Sequence, residues 1–538
     1  MKSELEIAMV ETTRYRVLVA EKLASEGVEK LRRHFEVDTF DRLTADELLE
    51  KIGEYDALVV RSGTKVDAEV IERGSRLKII GRAGIGVDNI DVETATRKGI
   101  MVANVPESNI ISAAEHTMAL MLAAARRVPA ASTSLAEGRW DRSSFKGVEL
   151  YGKTLGIIGL GRIGALVAER ASGFGMSLVG YDPFISSQKA KHLGVELKPT
   201  VEELLEISDF VTLHVPITVE TRHMLGAEQL AHCKKGAIIV NVARGGVIDE
   251  DALVEAIREG RIGGAALDVF EREPPGESPL CRMKEVVATP HLGASTSEAQ
   301  FKAGVAIAEQ IIAGLTGGFV SGAVNVAMPH REVVEMLQPY LPLCEKLGRL
   351  VSRISTVTTD EVELEIQGEI SECDTSLLVM AFLKGLFEGT ADPVTFVNAP
   401  VIAQERGITV RESKTRQSTD YLNLIIARTT DESGGVTAGA TLIGKTQEMF
   451  THVLDYDIEI APSKYMLFVR YEDRPGMIGK VGTILGANDI NIESLQVGRK
   501  KVKGKAAMGL SLDGPLSAEI NRELKGQEGI IDSVFIVL

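Results

Sequence analysis

The chain has 538 residues, 44% hydrophobic and 25% charged, with 60 Lys and Arg against 76 Asp and Glu and a net charge of −16. That length favours three or four domains, and the composition is that of a soluble globular protein. The acidic balance argues against a nucleic-acid or anionic-membrane partner, no apolar run nears the ~18 residues that span a bilayer, and the opening stretch MKSELEIAMVETTRYR has no apolar core of the secretory kind.

From Tyr15 to about His291, short apolar runs alternate with helical patterns. The strand candidates YRVLVAE, DALVVRSG, LKIIGRAG and MVAN predict a first small sheet over Tyr15–Asn104. TLGIIGLG, LVGYD, FVTLHVP, AIIVNVAR, AALDV and VVATPH predict a second from about Lys153 to His291. These runs are rich in Val and Ile and apolar on both faces, as strands of a parallel sheet are, and the alternation with helices predicts doubly wound βαβ architecture. Between the sheets, SNIISAAEHTMALMLAAARRVPA reads as a long apolar helix capped near Ser108 or Asn109. After His291, TSEAQFKAGVAIAEQIIAGLTGG reads as a helix that ends at Gly317 and Gly318 and returns to the first domain. Residues 330–460 mix helices with strands of alternating polarity, an α+β pattern, and Lys464–Leu538 reads β-α-β-β-α-β, a ferredoxin-like split βαβ unit.

The second sheet opens with Gly159-x-Gly161-x-x-Gly164, placed after an apolar strand and before an apolar helix, and Asp182 ends the next strand 23 residues after Gly159. Gly159 allows the tight turn, Gly161 lets the backbone approach a pyrophosphate, and Gly164 lets helix and strand pack closely. The helix N-terminus supplies N–H groups and a positive dipole end to the phosphates. The Asp182 carboxylate suits the ribose hydroxyls and repels a 2′-phosphate, so the expected cofactor is NAD rather than NADP. A second match, GATLIGKT (Gly439–Thr446), fits the P-loop pattern letter for letter. It lacks the preceding strand, and ATLIG itself reads as a strand, so an ordinary strand followed by a helix is expected there.

Ligands of open α/β sheets bind beyond the carboxyl ends of the strands. Arg244, then Asp268 and Glu273, then His291 follow three successive strands of the second sheet. A hydride leaving a carbon that bears a hydroxyl requires a base for the hydroxyl proton, which a histidine provides near neutral pH. A carboxylate orients the imidazole and favours its protonated form, and Glu273 is the candidate. Arg244 offers a planar fork of donors for a substrate carboxylate. Taken singly, each of these residues also has a structural reading as a cap, a packing residue or a solvated charge. The four cysteines, Cys233, Cys281, Cys344 and Cys373, suit neither a zinc site nor a disulfide framework, so no metal and a reducing, cytoplasmic compartment are expected.

GLGRIG, NVARGGVIDE, ALDVFEREPP and TPHLGAST resemble the D-isomer-specific 2-hydroxyacid dehydrogenase family, and with GRAGIGVDNID and the two C-terminal domains the chain is similar to its long-form D-3-phosphoglycerate dehydrogenases. The resemblance implies two doubly wound Rossmann-like domains and two C-terminal α+β regulatory domains. The implied bounds are 14–107 with 293–325 for the substrate domain and 108–292 for the NAD domain. Residues 326–460 would form an allosteric substrate-binding domain and 464–538 an ACT domain. It implies NAD-dependent oxidation of D-3-phosphoglycerate to 3-phosphohydroxypyruvate, the first step of L-serine biosynthesis, in a homotetramer. Arg244, Glu273 and His291 match the catalytic set. Arg162 and Ile163 match the pyrophosphate contacts, and Asp268 matches the partner of the nicotinamide amide. His214, Val215 and Pro216, with Val242, Ala243 and Arg244, match the segments that line the cofactor. For the substrate phosphate the cation candidates are Arg61, with backbone donors at Ser62 and Gly63, together with Arg82 and a basic arm, Arg139, Arg142 and Lys146, of the kind relatives bring from a neighbouring subunit. In the ACT domain, Tyr471, Asp473 and Asn491 match the L-serine effector site. Other readings stay open at this point: a dehydrogenase of an unphosphorylated D-2-hydroxy acid, a non-catalytic NAD-responsive binding protein, and a pure amino-acid sensor.

Overall fold

The computed structural model describes residues 15–355, 360–389, 393–418, 420–430, 435–444, 446–499 and 504–538. The opening stretch before Tyr15 and Lys445 of the P-loop-like match lie outside them. The chain separates into two compact units, Met1–Asn104 with Ile307–Leu538, and Val105–Ala306.

The first sheet comprises β1 (Arg16–Val19), β2 (Glu36–Thr39), β3 (Ala57–Val60), β4 (Ile79–Arg82) and β5 (Met101–Ala103), all parallel in the order β2-β1-β3-β4-β5. Leu18, Leu58, Ile79 and Ile80 are fully buried, as strands covered on both faces require. The helix Ser297–Thr316 reaches this sheet with its second half: a Cβ at Gly81 would lie 2.9 Å from Ile307 Cγ1 and Ile311 Cδ1. The expected return of that helix is therefore present.

The second unit holds β6 (Thr154–Ile158), β7 (Ser177–Tyr181), β8 (Glu196–Leu197), β9 (Phe210–Leu213), β10 (Ala237–Asn241), β11 (Ile262–Leu267) and β12 (Val286–Ala288). They form one parallel sheet in the order β12-β11-β10-β9-β6-β7-β8. The order reverses between β6 and β9, which opens a crevice at the carboxyl ends of those strands. The helix Ile110–Arg126 lies on this sheet with Ala113, Ala114, Thr117, Met118 and Met121 buried, and it ends where Arg127 turns left-handed at φ 53°. Asn109 stands at its N-cap without a side-chain capping bond, so the helix start comes from packing rather than from the cap.

Two strands of these parallel sheets escaped the sequence reading. Glu36–Thr39 and Glu196–Leu197 are edge strands, exposed and polar, so they lack the apolar run that marks the others.

The first C-terminal domain is built on a six-stranded mixed sheet of β13 (Glu361–Gly368), β14 (Thr409–Thr415), β15 (Asn423–Thr430), β16 (Thr437–Ile443), β17 (Gln447–Val453) and β18 (Tyr456–Ile460). In β13 burial alternates strictly, with Val362, Leu364 and Ile366 inward. GATLIGKT corrects one expectation: β16 is a strand, but β17 follows it as its antiparallel neighbour where a helix was expected. Gln447–Val453 alternates in a way that pairs with β16 and β18. Over the sheet, the helices Leu341–Ile354 and Ser376–Leu386 cross at Gly348 and Gly385, where an added Cβ would collide with the Phe382 and Glu345 carbonyls.

The last domain comprises β19 (Tyr465–Glu472), helix Met477–Ala487, β20 (Ile492–Arg499), β21 (Lys505–Leu512), helix Ala518–Lys525 and β22 (Ile530–Val537), in the sheet order β20-β21-β19-β22. Met466, Phe468, Ala507 and Ile536 of this sheet share one apolar core with Phe450 and Ile458 of the preceding domain. No helix among the described residues is long and apolar enough to cross a membrane.

The crossing at Gly385 yields a test. Gly385→Val forces the two helices apart, and overpacking of this kind costs about 1–3 kcal/mol. The substitution is expected to lower the first unfolding midpoint of the full chain in urea, and Gly407→Ala, at a position with nothing within 4 Å but a φ of 71°, to cost about 1–2 kcal/mol through backbone strain alone.

Candidate active site

The turn after β6 makes a cradle in which two positions, Gly159 and Gly164, require glycine. Gly159 has φ 91°, and a Cβ there would lie 2.6 Å from the His214 carbonyl oxygen. A Cβ on Gly164 would collide with the Gly159 carbonyl. Nothing lies within 4 Å of the Cβ position at Gly161, the N-cap of the twelve-residue helix Arg162–Gly173, and no side chain caps that helix. Its first-turn N–H groups therefore face an open space fit for an anion. Asp182 follows β7 and ties the cradle together: its Oδ2 accepts from Leu160 N at 2.8 Å and its Oδ1 from Phe184 N at 2.9 Å. A carboxylate has about four acceptor sites, so lone pairs remain for ribose hydroxyls.

Arg162 pairs with Glu107 at 3.2 Å; both side chains are exposed, so the contact is weak and the guanidinium can exchange to a phosphate. Ile163 packs against the core beneath the sheet. His214 bonds the Thr212 hydroxyl at 3.0 Å, and burial pushes its imidazole down to about 4, so it is neutral near pH 7. With Val215 and Pro216 it forms the wall opposite Gly159. Beyond β7, a cavity of about 420 Å³ is bounded by Tyr181, Thr200, Glu202, Arg222 and His223.

After β10 the chain folds back on itself. Asn241, 2% exposed, donates from Nδ2 to the Arg244 carbonyl at 2.9 Å and accepts from Ala243 N at 3.0 Å. That closes the loop Val242–Arg244, and Arg244 Nη1 donates to the Ala243 carbonyl at 2.7 Å. After β12, His291 adopts φ 54°, and its Nδ1 stands 2.7 Å from Glu273 Oε2. The other Glu273 oxygen accepts from Phe270 N at 3.2 Å. Burial alone would raise the Glu273 carboxyl, but the hydrogen bond and charge of His291 and the Phe270 N–H outweigh it and hold the group below its ordinary value. With Nδ1 engaged, Nε2 is the nitrogen left to exchange a proton.

Asp268, which the resemblance matches to the partner of the nicotinamide amide, has a structural duty as well. It is fully buried, and its carboxylate is already in use. Oδ1 accepts from Leu292 N at 2.7 Å, from the Thr289 hydroxyl at 2.6 Å and from His116 Nε2 at 3.1 Å, while Oδ2 accepts from Gly293 N at 2.8 Å. Burial opposes its ionisation, yet the bonds from His116, Thr289 and Leu292 hold its carboxyl below the usual range. Asp268 thus clamps the turn that carries His291. Its remaining capacity toward a nicotinamide amide is limited to Oδ2.

On the first sheet, Arg61 follows β3 and Arg82 ends β4. Of the two backbone donors expected there, that of Gly63 is taken. Glu21 Oε2 accepts from Arg61 N at 3.2 Å, Gly63 N at 3.1 Å and the Thr64 hydroxyl at 3.2 Å, and Arg42 bonds the Gly63 carbonyl. Gly63 thus spends its N–H on shaping the loop, and the exposed Ser62 and the Arg61 side chain are what it leaves for an anion. In the other unit, Arg142 is exposed and Arg139 pairs with Glu137. Glu21 and Asn241 were missed by sequence reasoning; their only signal is a polar side chain at the end of an apolar strand.

In the last domain, Asp473 pairs with Arg499 Nε at 3.4 Å, and Asn491 is exposed with its N–H bonded to Asp513. Tyr471 departs from expectation: it is 2% exposed and packs in the domain core with Met477 and Val481, because its side chain points to the helix-covered face of β19.

Comparison with known proteins agrees with this geometry. Residues 118–293 match the family model for the NAD-binding domain of D-isomer specific 2-hydroxyacid dehydrogenases, 336–454 that for the D-3-phosphoglycerate dehydrogenase intervening domain, and 465–525 that for the ACT domain. D-3-phosphoglycerate dehydrogenase of Methanocaldococcus jannaschii is 48% identical over 97% of this chain and 100% of its own length, and that of Bacillus subtilis 40% over 97% and 100%. Among solved structures, the TT0316 protein of Thermus thermophilus superposes with a TM-score of 0.54 at 37% identity, over 57% of this chain and 99% of its own. D-lactate dehydrogenase of Aquifex aeolicus, complexed with NAD and lactic acid, gives 0.51 at 28%, over 57% and 100%.

The Asp268 clamp is testable through stability. Its folded pKa is depressed, so its contribution is complete above the ordinary Asp value near 3.9 and is lost as pH falls through the lower folded value. Asp268→Asn places an amide NH₂ against donors, and is expected to cost about 2 kcal/mol at pH 7. In thermal unfolding, the gap to the native protein should close below about pH 4.

Proposed function

The chain belongs to the D-3-phosphoglycerate dehydrogenase family, and on that premise we propose that it oxidises D-3-phosphoglycerate to 3-phosphohydroxypyruvate with NAD, at the entry to L-serine synthesis. The observation that carries the reading is the 2.7 Å bond between His291 Nδ1 and Glu273 Oε2, beyond the carboxyl ends of the sheet whose first turn forms the glycine cradle.

Gly159, Gly161 and Gly164 with Arg162 and Ile163 hold the pyrophosphate against the helix N-terminus, Asp182 holds the ribose, and His214–Pro216 with Val242–Arg244 flank the rest of the dinucleotide. NAD, when bound, accepts the hydride that leaves C2 of the substrate at its nicotinamide ring. Everything else is the work of this chain. Arg244 binds the substrate carboxylate with a forked pair of donors. His291 takes the C2 hydroxyl proton on Nε2 as the carbonyl forms, and Glu273 fixes the ring through Nδ1 and balances the imidazolium charge. In the reverse direction the same imidazolium returns the proton to the ketone. The phosphate dianion is bound by Arg61, Ser62 and Arg82, with Arg142 as a further cation; Gly63 shapes that loop rather than donating to the ligand.

Regulation falls to the last domain. L-serine binds at Asp473 and Asn491: its ammonium replaces Arg499 at the Asp473 carboxylate, and Asn491 donates to its carboxylate. Tyr471 supports this strand from inside the core. The assembly is a homotetramer in the cytoplasm, with neither nucleic acid nor membrane as partner.

The test is NADH formation from D-3-phosphoglycerate and from D-glycerate, each with and without L-serine. The phosphorylated acid should be preferred by at least tenfold in kcat/KM and serine should lower its turnover; equal rates on the two acids would favour an unphosphorylated substrate. His291→Ala should lower kcat by about 10²–10⁴-fold while NADH still binds, by the usual contribution of a general base. Arg61→Ala should raise KM for the phosphorylated acid about tenfold or more and leave KM for NAD unchanged.

A further inference from the structure

We propose that His116, on the helix Ile110–Arg126, is a positioning residue for catalysis: by donating Nε2–H to Asp268 it holds the Thr289–Gly293 turn in the shape that presents His291. The inference rests on the assignment of His291 as the base.

The helix sequence IISAAEHTMALMLAAAR is apolar around His116, and an imidazole there costs free energy unless its polar atoms are bonded. The His116 side chain is 19% exposed, and Nε2 lies 3.1 Å from Asp268 Oδ1 and 3.2 Å from the Thr289 hydroxyl oxygen. The Thr289 hydroxyl already donates to that same Oδ1 at 2.6 Å, so the imidazole N–H meets its acceptors at one point. Asp268 in turn accepts from Leu292 N and Gly293 N, the two amides that follow His291, and the Asp268 carbonyl accepts from His291 N at 2.9 Å. His291 sits between these bonds at φ 54°, a left-handed conformation that costs an L-residue about 1–2 kcal/mol. The clamp maintains that conformation. A second tie from the same helix, Ser112 Oγ to Thr296 Oγ1 at 2.8 Å, holds the far end of the segment.

The titratable and charged groups around Asp268 are few. His116 faces it from the helix, Glu273 follows β11, His291 follows β12, and Arg244 follows the adjacent β10. His116 reaches the carboxylate itself with a hydrogen bond. The geometry therefore separates two duties: Glu273 orients the His291 ring, and His116 acts through Asp268 on the backbone that carries the ring.

Two variants separate this role from packing. Gln places an amide N–H at the reach of His Nε2, whereas Leu fills a similar volume with no donor. His116→Leu is expected to lower kcat for D-3-phosphoglycerate about tenfold, the worth of one hydrogen bond to a charged group, with KM for the acid little changed. It should also move the acid limb of the kcat profile to higher pH, because Asp268 then protonates more readily. His116→Gln should restore both to near the native values. Thermal unfolding of the same three proteins from about pH 2 to 8 reads the bond whether or not turnover is seen: His116→Leu should melt below His116→Gln at pH 7 and converge with it only as pH falls through the depressed folded value of Asp268. A native enzyme that turns over and a Leu variant with equal kcat and an unmoved acid limb overturn the proposal, as do Leu and Gln variants that melt alike throughout. A native protein without turnover on any D-2-hydroxy acid refutes the dehydrogenase reading instead, and the melting comparison still decides the hydrogen bond.

Discussion

One buried carboxylate ties the catalytic unit together. Asp268 stands at the end of β11 with no solvent exposure and receives donors from a helix, a threonine side chain and two backbone amides. An ionised group in that position is stable only because each donor offsets part of the desolvation cost. The same bonds remove the freedom of the Thr289–Gly293 turn. A base that must meet a substrate hydroxyl within hydrogen-bond reach needs such fixation, since small misplacements of a reacting group cost large factors in rate. The left-handed backbone at His291 is thus held by its neighbours rather than by its own preference.

Much of this could be read from residue order. The glycine triad, the acidic end of β7 and the succession Arg244, Glu273, His291 are local in sequence, and each is tied to a strand end that apolar runs reveal. The folded chain brings Glu273 and His291 to 2.7 Å, as their places after adjacent strands β11 and β12 imply. What could not be read was competition for hydrogen bonds. Gly63 is an N–H donor in a loop beside an arginine, which by itself suggests an anion site; Glu21, 42 residues upstream in sequence and after the neighbouring strand β1, takes that donor. Asp268 likewise invites a ligand role until its four donors are counted. His116 looked like an interruption of an apolar helix, and only the fold shows that the interruption faces a charge.

Burial direction was the other blind spot. Tyr471 and Asp473 lie two apart on one run, YED, and period-two alternation should have put both on the same face. β19 ends at Glu472, so Tyr471 is inside the sheet and packs with the core, while Asp473 is already in the loop where it meets Arg499. The P-loop-like match failed for a related reason: residues 439–443 lie in the interior strand β16, where a Cβ at Gly439 would fall 2.7 Å from the Thr451 hydroxyl, and Gly444 turns left-handed at φ 66° just after it.

The two C-terminal domains have one core between them, and glycines set how closely they meet. A Cβ on Gly498 of β20 would lie 2.6 Å from the Asp457 carbonyl, and one on Gly509 of β21 would lie 3.2 Å from Ile458 Cγ2. Ile458 of β18 therefore rests on a smooth strip of the ACT sheet, among Met466, Phe468 and Ala507. A sheet with two helices on one face must bury its other face somewhere, and here the neighbouring domain does so. The residue after Gly498 is Arg499, whose guanidinium holds Asp473. The loop that bears Asp473 is thus tied by Arg499 to β20, whose Gly498 meets the Asp457 carbonyl of β18.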